Sequence, residues 1–134
     1  MTEIKAKLKN YRQSPRKVRL VADLIRGKEV EKVISELNFL NKKVSLVIRK
    51  LIESAIANAK HNNKINKDNL FIKEITVNEG PAMKRFRAGA KGRAFPYKKR
   101  TSHIDVTLED KKEEKVVKEV AEKAVKKENL KVKK

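Results

Sequence analysis

The sequence predicts an α+β fold, and three observations carry the prediction. Apolar residues recur at helical spacing in three segments between Ser14 and Ala59. They alternate with polar residues, at the period of a strand, near the N-terminus and again after Ser102. Between two strand-like segments lies a basic, glycine-punctuated stretch of the kind that forms a hairpin arm. At 134 residues with 39% apolar side chains the chain has one domain's length and a modest core. The expected layout is a globular α+β domain over residues 1–110, including an extended β-hairpin arm over about 80–103. A Lys/Glu-rich extension, disordered or partly helical, is expected over 111–134.

The elements follow in order. Ile4, Ala6 and Leu8 alternate with Lys5, Lys7 and Lys9, which predicts a short half-buried strand. Ser14 before Pro15 reads as an N-cap with proline at the first helical position, where its missing N–H costs nothing, and Gly27 closes the segment. Val18, Val21, Ala22 and Ile25 form its apolar face. A second helix runs from about Glu29 to near Leu40 on Val30, Val33, Ile34 and Leu37, and Asn41 is expected to cap a third. That third helix carries the clearest stripe, Val44, Val47, Ile48, Leu51, Ile52, Ala55 and Ala59. It is expected to stop at "HNNKINKDN", a loop by composition. "LFIKEITV", Leu70 to Val77, reads as a strand, and Ile104, Val106 and Leu108 mark another from Ser102 to Leu108.

Charge decides the class of partner. Thirty-six Lys and Arg against seventeen Asp and Glu give a net charge of +19, a self-repelling balance that a polyanion neutralises. Residues 80–104 carry eight basic side chains and no acidic one, so the field is densest there. There is no cysteine, which excludes disulfides and thiolate metal sites, and no apolar run approaches the roughly 20 residues of a membrane span. "MTEIKAKLKN" holds no apolar signal-peptide core, so a cytoplasmic protein is expected.

Catalytic chemistry finds no support. His61 and His103 belong to no metal-ligand or nucleophile spacing, "AGAKGR" lacks both the P-loop spacing and a following helix, and neither enzyme activity nor a cofactor is expected. Binding has three features in its favour. Arg16, Lys17 and Arg19 lie in the first turns of the first helix, where free N–H groups and the helix dipole favour a phosphate. Lys84, Arg85, Arg87, Lys91, Arg93, Lys98, Lys99 and Arg100 populate the arm. Phe86, Phe95 and Tyr97 are interleaved with them, as in proteins that stack bases while holding phosphates. Six neutralised phosphates would give a slope of log affinity against log salt of roughly −4 to −5.

The two strands that bracket the arm can pair antiparallel, with Gly89 and Gly92 near the midpoint, where a tight turn needs positive φ. Ten residues out and ten back would reach on the order of 30 Å at roughly 3.3 Å per residue. An isolated two-stranded ribbon is marginal in water, so the arm is expected to be ordered mainly by its partner. Pro96 cannot donate a ladder hydrogen bond, and the returning strand is expected to be interrupted or bulged there.

Five segments together resemble the bacterial large-subunit ribosomal protein L-twenty-two family: "SPRKVRLVADLIRGK" from Ser14, "ESAIANAKHN" from Glu53, "EGPAMKR" from Glu79, "GAKGRA" from Gly89 and "KKRTSHI" from Lys98. The similarity spans about residues 3–109. It implies three helices packed on a small three-stranded antiparallel sheet, a long protruding β-hairpin and, in this chain, an additional charged C-terminal tail. It also implies a structural constituent of the large ribosomal subunit, cytoplasmic and non-catalytic, that binds 23S ribosomal RNA, helps assembly and lines the polypeptide exit tunnel with its hairpin. Carried onto this sequence, the RNA-binding set is Arg12, Ser14, Arg16, Lys17, Arg19, Lys84, Arg85, Arg87, Lys91, Arg93, Lys98, Lys99, Arg100, Ser102 and His103. The tunnel tip is Ala90, Lys91, Gly92 and Arg93, close to the macrolide region and facing the nascent polypeptide. Neighbouring ribosomal proteins are further partners, with no membrane and no homo-oligomer expected.

The residues themselves argue against two rival classes. A DNA-bending architectural protein also uses a basic β-arm, but places an apolar wedge at its end, whereas Phe86 and Phe95 are set back from "AGAKGR". A membrane-surface protein needs bulky apolar residues opposite its lysines, and the 111–134 segment offers mainly Val and Ala.

Overall fold

The computed structural model describes residues 3–110, so the charged extension expected over 111–134 lies outside the described residues. The order is strand β1 (Ile4–Tyr11), helices α1 (Pro15–Ile25), α2 (Val30–Phe39) and α3 (Lys43–Asn63), then strands β2 (Leu70–Glu79), β3 (Met83–Ala88), β4 (Ala94–Lys99) and β5 (Ser102–Asp110). β1, β5 and β2 form an antiparallel sheet with β5 in the centre, and β3 pairs with β4 in a separate two-stranded ribbon. The α+β class and its three helices therefore stand as expected.

The core is built in rows across the sheet. Ile4 faces Leu108, Ala6 faces Val106 and Leu8 faces Ile104 from one side, while Ile72, Ile75 and Val77 face the same three β5 residues from the other. The apolar positions of β2 break period at Ile72 to Ile75, and a bulge at Lys73 absorbs the extra residue so that the apolar face stays in phase. Against these rows α1 packs on β2, α3 on β1 and α2 on α3. Val18, Ile25, Val30, Val33, Ile48, Ile52 and Ala55 are fully enclosed between the layers. Each Val or Ile among them contributes about 1.5–3 kcal/mol relative to exposure.

The outer edge of β2 is closed by α1 and the turn after it. Arg19 donates through Nε and Nη2 to the Val77 carbonyl at 3.2 and 3.0 Å, and Arg26 Nη2 donates to the Ile75 carbonyl at 3.2 Å. The backbone then finishes the seal, with Gly27 N–H donating to the Ile72 carbonyl and Ile72 N–H to the Lys28 carbonyl. An unpaired strand edge invites pairing with another chain, and these contacts satisfy it internally.

Several expectations need correction. Lys42 occupies the N-cap of α3, because Leu40 to Lys42 form a tight turn closed by Lys42 N–H to the Leu40 carbonyl, which delays the helix past Asn41. The expected loop at His61–Asn63 is helical: α3 runs on as an exposed last turn until Lys64 adopts left-handed φ 56° and its N–H bonds the Ala59 carbonyl. A 3-10 turn at Lys67–Asn69 interrupts the rest of that loop. Ser14 is the N-cap residue of α1, as expected, yet its hydroxyl makes no capping bond. β1 continues beyond Lys9 through a kink at Asn10, φ 57°, whose N–H donates to His103 Nδ1 at 3.0 Å.

Candidate nucleic-acid interface

The ribbon leaves the sheet where β2 ends and returns where β5 begins. Gly80 N–H donates to the Thr101 carbonyl at 2.9 Å, and Thr101 Oγ1 donates to the Pro81 carbonyl at 2.7 Å, which pins its base. From there Met83 pairs with Lys99, Lys84 with Lys98, Arg85 with Tyr97, Phe86 with Pro96, Arg87 with Phe95 and Ala88 with Ala94. Every β3 side chain is exposed.

The register is unbroken at Pro96, so the expected bulge is absent, and backbone parity gives the reason. Gly89 N–H donates inward to the Arg93 carbonyl at 2.7 Å, so on β4 residues 93, 95 and 97 face the ladder and 94, 96 and 98 face outward. Pro96 lacks an N–H that would have pointed to solvent. Its ring sits opposite Phe86 in a non-hydrogen-bonded pair, where side chains come closest.

The turn differs from expectation in which residue takes the strained backbone. Gly92 has φ +70°, but Gly89 does not have positive φ; Lys91, at φ 57°, is the second left-handed residue. Arg93 N–H bonds back to the Ala90 carbonyl at 3.4 Å. Gly89 is required for space instead, since a Cβ there would collide with the Phe95 ring lying against it. Consecutive positive φ values turn the chain with the right-handed twist of the strands, and the Lys91 side chain is left exposed at the end.

Alternation divides the ribbon into two chemically distinct faces. One carries Arg85, Arg87, Arg93 and Lys99 with Phe95 and Tyr97; the other carries Phe86, Ala88, Ala94 and Pro96 beyond a facing pair, Lys84 and Lys98. On the first face the Arg87 guanidinium lies over the Tyr97 ring, 5.1 Å from its centroid. An exposed cation–π contact of this kind is worth about 0.5–1 kcal/mol and holds the guanidinium beside aromatic rings on which a base or ribose can stack.

A second basic group flanks the ribbon base. Ser14, Arg16, Arg19 and Arg100 line one recess at the start of α1, with Pro15 and the Glu79 carboxylate. Arg16 and Lys17 are exposed, and Arg19 is held by Val77 as described. Arg12 reaches from the β1–α1 turn to the ribbon, its Nη1 3.9 Å from Met83 Sδ. The structure thus brings together most of the residues singled out in the sequence. Two behave differently. Ser102 is wholly buried and its Oγ is enclosed, so it cannot reach a phosphate, because β5 turns that position toward the helices. His103 uses Nδ1 to accept from Asn10, leaving Nε2 beside Gly80.

The remaining ionisable clusters bind the fold to itself. Lys73, freed from the ladder by the bulge, bonds Glu3 at 2.9 Å and Glu109 at 3.3 Å, tying the start of β1 to both other strands. The hydrogen bonds from Lys5 and then Lys73 lower the Glu3 carboxyl from 4.5 to about 2. His61 Nδ1 lies 3.1 Å from Asn62 Oδ1 on the exposed end of α3. Among the described residues no group of His, Cys, Asp or Glu is arranged to hold a metal ion, and no helix is long and apolar enough to cross a membrane.

Comparison with known proteins adds three findings. The family model described as ribosomal protein L22p/L17e matches residues 6–109. The large ribosomal subunit protein uL22 of Bdellovibrio bacteriovorus is 52% identical over 109 residues, covering 81% of this chain and 99% of that protein. The proteins of the same name from Macrococcus caseolyticus and Staphylococcus aureus are 54% and 53% identical, covering 81% and 84% of this chain and 88% and 96% of their own lengths.

Proposed function

The chain belongs to the ribosomal protein L22p/L17e family, and from that premise we propose that it is a structural, non-enzymatic constituent of the large ribosomal subunit that binds 23S ribosomal RNA through its ribbon and the start of α1. The observation that carries the RNA contact is the exposed ribbon between Met83 and Lys99: it carries no acidic side chain and is studded with cations. Like charges facing one another weaken a free ribbon, and a polyanion on its surface reverses that sign. Arg12, Ser14, Arg16, Lys17, Arg19, Arg100 and His103 extend the interface onto the globular part, with Arg19 pre-positioned by its bond to Val77.

In this reading residues 1–110 are one RNA-binding domain whose ribbon protrudes as an arm, lines the polypeptide exit tunnel and aids subunit assembly. Ala90, Lys91, Gly92 and Arg93 at its turn meet the nascent polypeptide, and neighbouring ribosomal proteins contact the globular part. The name of the relatives supports the cytoplasmic ribosome as the place of action.

Competition filter binding of the full chain tests the reading. Large-subunit ribosomal RNA is expected to win over duplex DNA of equal length at equal salt; a preference for DNA would establish the architectural alternative in its place.

A further inference from the structure

The eight cations between Lys84 and Arg100 are not equivalent, and their division follows from register alone. Arg85 and Arg87 share one face of the ribbon with Tyr97 and Phe95, while Lys84 and Lys98 share the other with Phe86 and Pro96. The first face is chemically continuous from root to turn: Lys99 opposite Met83, Arg85 opposite Tyr97, Arg87 opposite Phe95, then Arg93 opposite Gly89. Its root is joined to the globular part by Arg12, which touches Met83. The second face is charged only at its root. Beyond Lys84 and Lys98 it presents Phe86, Ala88, Ala94 and Pro96, all exposed and without a charge or a side-chain hydrogen-bonding group.

We infer that the ribbon engages ribosomal RNA one-sidedly, through the Arg85–Arg87–Tyr97–Phe95 face running from Arg12 to Arg93, and that Lys84 and Lys98 make no phosphate contact. The inference rests on the proposed function and narrows the contact set given there. Three physical reasons support it. A duplex or folded RNA presents phosphates in rows, which a row of cations on one face matches and a lone pair at the root does not. The Arg87 guanidinium already lies over the Tyr97 ring, so part of its rotamer freedom is spent before RNA arrives, and the aromatic rings on this face can stack on a base or ribose. The Phe86–Pro96 face offers an approaching phosphate no donor, and burying a phosphate against it would cost its hydration without return.

The test compares two double variants of the full chain that remove the same charge from the same ribbon, R85Q/R87Q and K84Q/K98Q. Each is titrated with a large-subunit ribosomal RNA transcript over a salt series, with thermal unfolding as a check that the fold is intact. At about 0.7–0.9 per phosphate contact, R85Q/R87Q should flatten the slope of log affinity against log salt by about 1.4–1.8. K84Q/K98Q should leave it at the wild-type value. Equal flattening by both, or more by K84Q/K98Q, overturns the one-sided face while leaving RNA binding by the arm in place. No change in either overturns the arm's role in RNA binding itself.

Discussion

Excising the ribbon separates what folds this chain from what it binds with. Replace Lys84–Lys99, sixteen residues, by a four-residue glycine-containing turn; the base contacts of Gly80, Pro81 and Thr101 remain. No residue between 80 and 100 belongs to the buried apolar cluster, so the transfer free energy of the core is untouched. Two smaller quantities oppose one another. Between the retained contacts of Gly80 and Thr101 the connection shortens from twenty residues to eight, which favours folding by about 0.8 kcal/mol in loop-closure entropy, and losing the Arg87–Tyr97 contact costs about 0.5–1 kcal/mol. The net change should lie within about 1 kcal/mol of zero. Urea unfolding followed by far-ultraviolet circular dichroism should show one cooperative transition with a denaturant slope within the roughly 10–15% error of such measurements. Binding to large-subunit ribosomal RNA, with the four cations of the arginine-aromatic face gone, should lose about 3–4 units of salt slope. A stability loss beyond about 2 kcal/mol, or a transition that is no longer cooperative, would refute the separation and put the ribbon inside the folding unit.

Three further outcomes are expected. Ile52→Ala, at a fully enclosed position of α3, should cost about 2–5 kcal/mol by urea titration while the salt slope of RNA binding stays unchanged. Arg19→Gln should lower both stability, by about 1–2 kcal/mol through the lost bonds to Val77, and RNA affinity, whereas Arg16→Gln should lower affinity alone. Glu3→Gln tests by pH the ion pairs that Glu3 makes with Lys5 and Lys73. A carboxyl depressed from 4.5 to about 2 stabilises the fold fully above 4.5 and loses that contribution as pH falls to about 2, so the melting temperatures of wild type and variant should converge over this window. A gap that stays constant down to pH 2 would show that the ionised Glu3 carboxylate contributes nothing to it.

Much of the fold was legible because each element announces itself by period. The stripes of α1, α2 and α3 and the alternation in β5 are unambiguous, and of those apolar positions all but Val47 sit in or against the core. The missed features share a cause: each depends on a backbone bond or a strand neighbour that composition does not reveal. The α3 end at Lys64 is set by backbone bonds to Ala59 rather than by composition. Ser102 reads as an exposed polar residue until β5 is known to be the central strand. The bulge at Lys73 did leave a trace, the three-residue step from Ile72 to Ile75, and that trace was readable. Pro96 was misjudged because a proline's effect on a ribbon depends on parity, and parity is fixed by the Gly89–Arg93 bond at the turn. As for the interface, composition located the cations, but only the register sorted them into two faces.

The outward position of Pro96 bears on what free copies of the chain can do to one another. A ribbon with two open sides could recruit a second ribbon side by side, and copies made in excess would then accumulate as fibrous aggregates. Along β4 the proline removes one of the donors such a union would use. Bringing two ribbons together would also juxtapose eight positive charges with eight more, each close pair costing about 1 kcal/mol even in water. The charge of the same stretch therefore opposes such pairing, and high salt, by screening those charges, should be the condition under which solubility first fails.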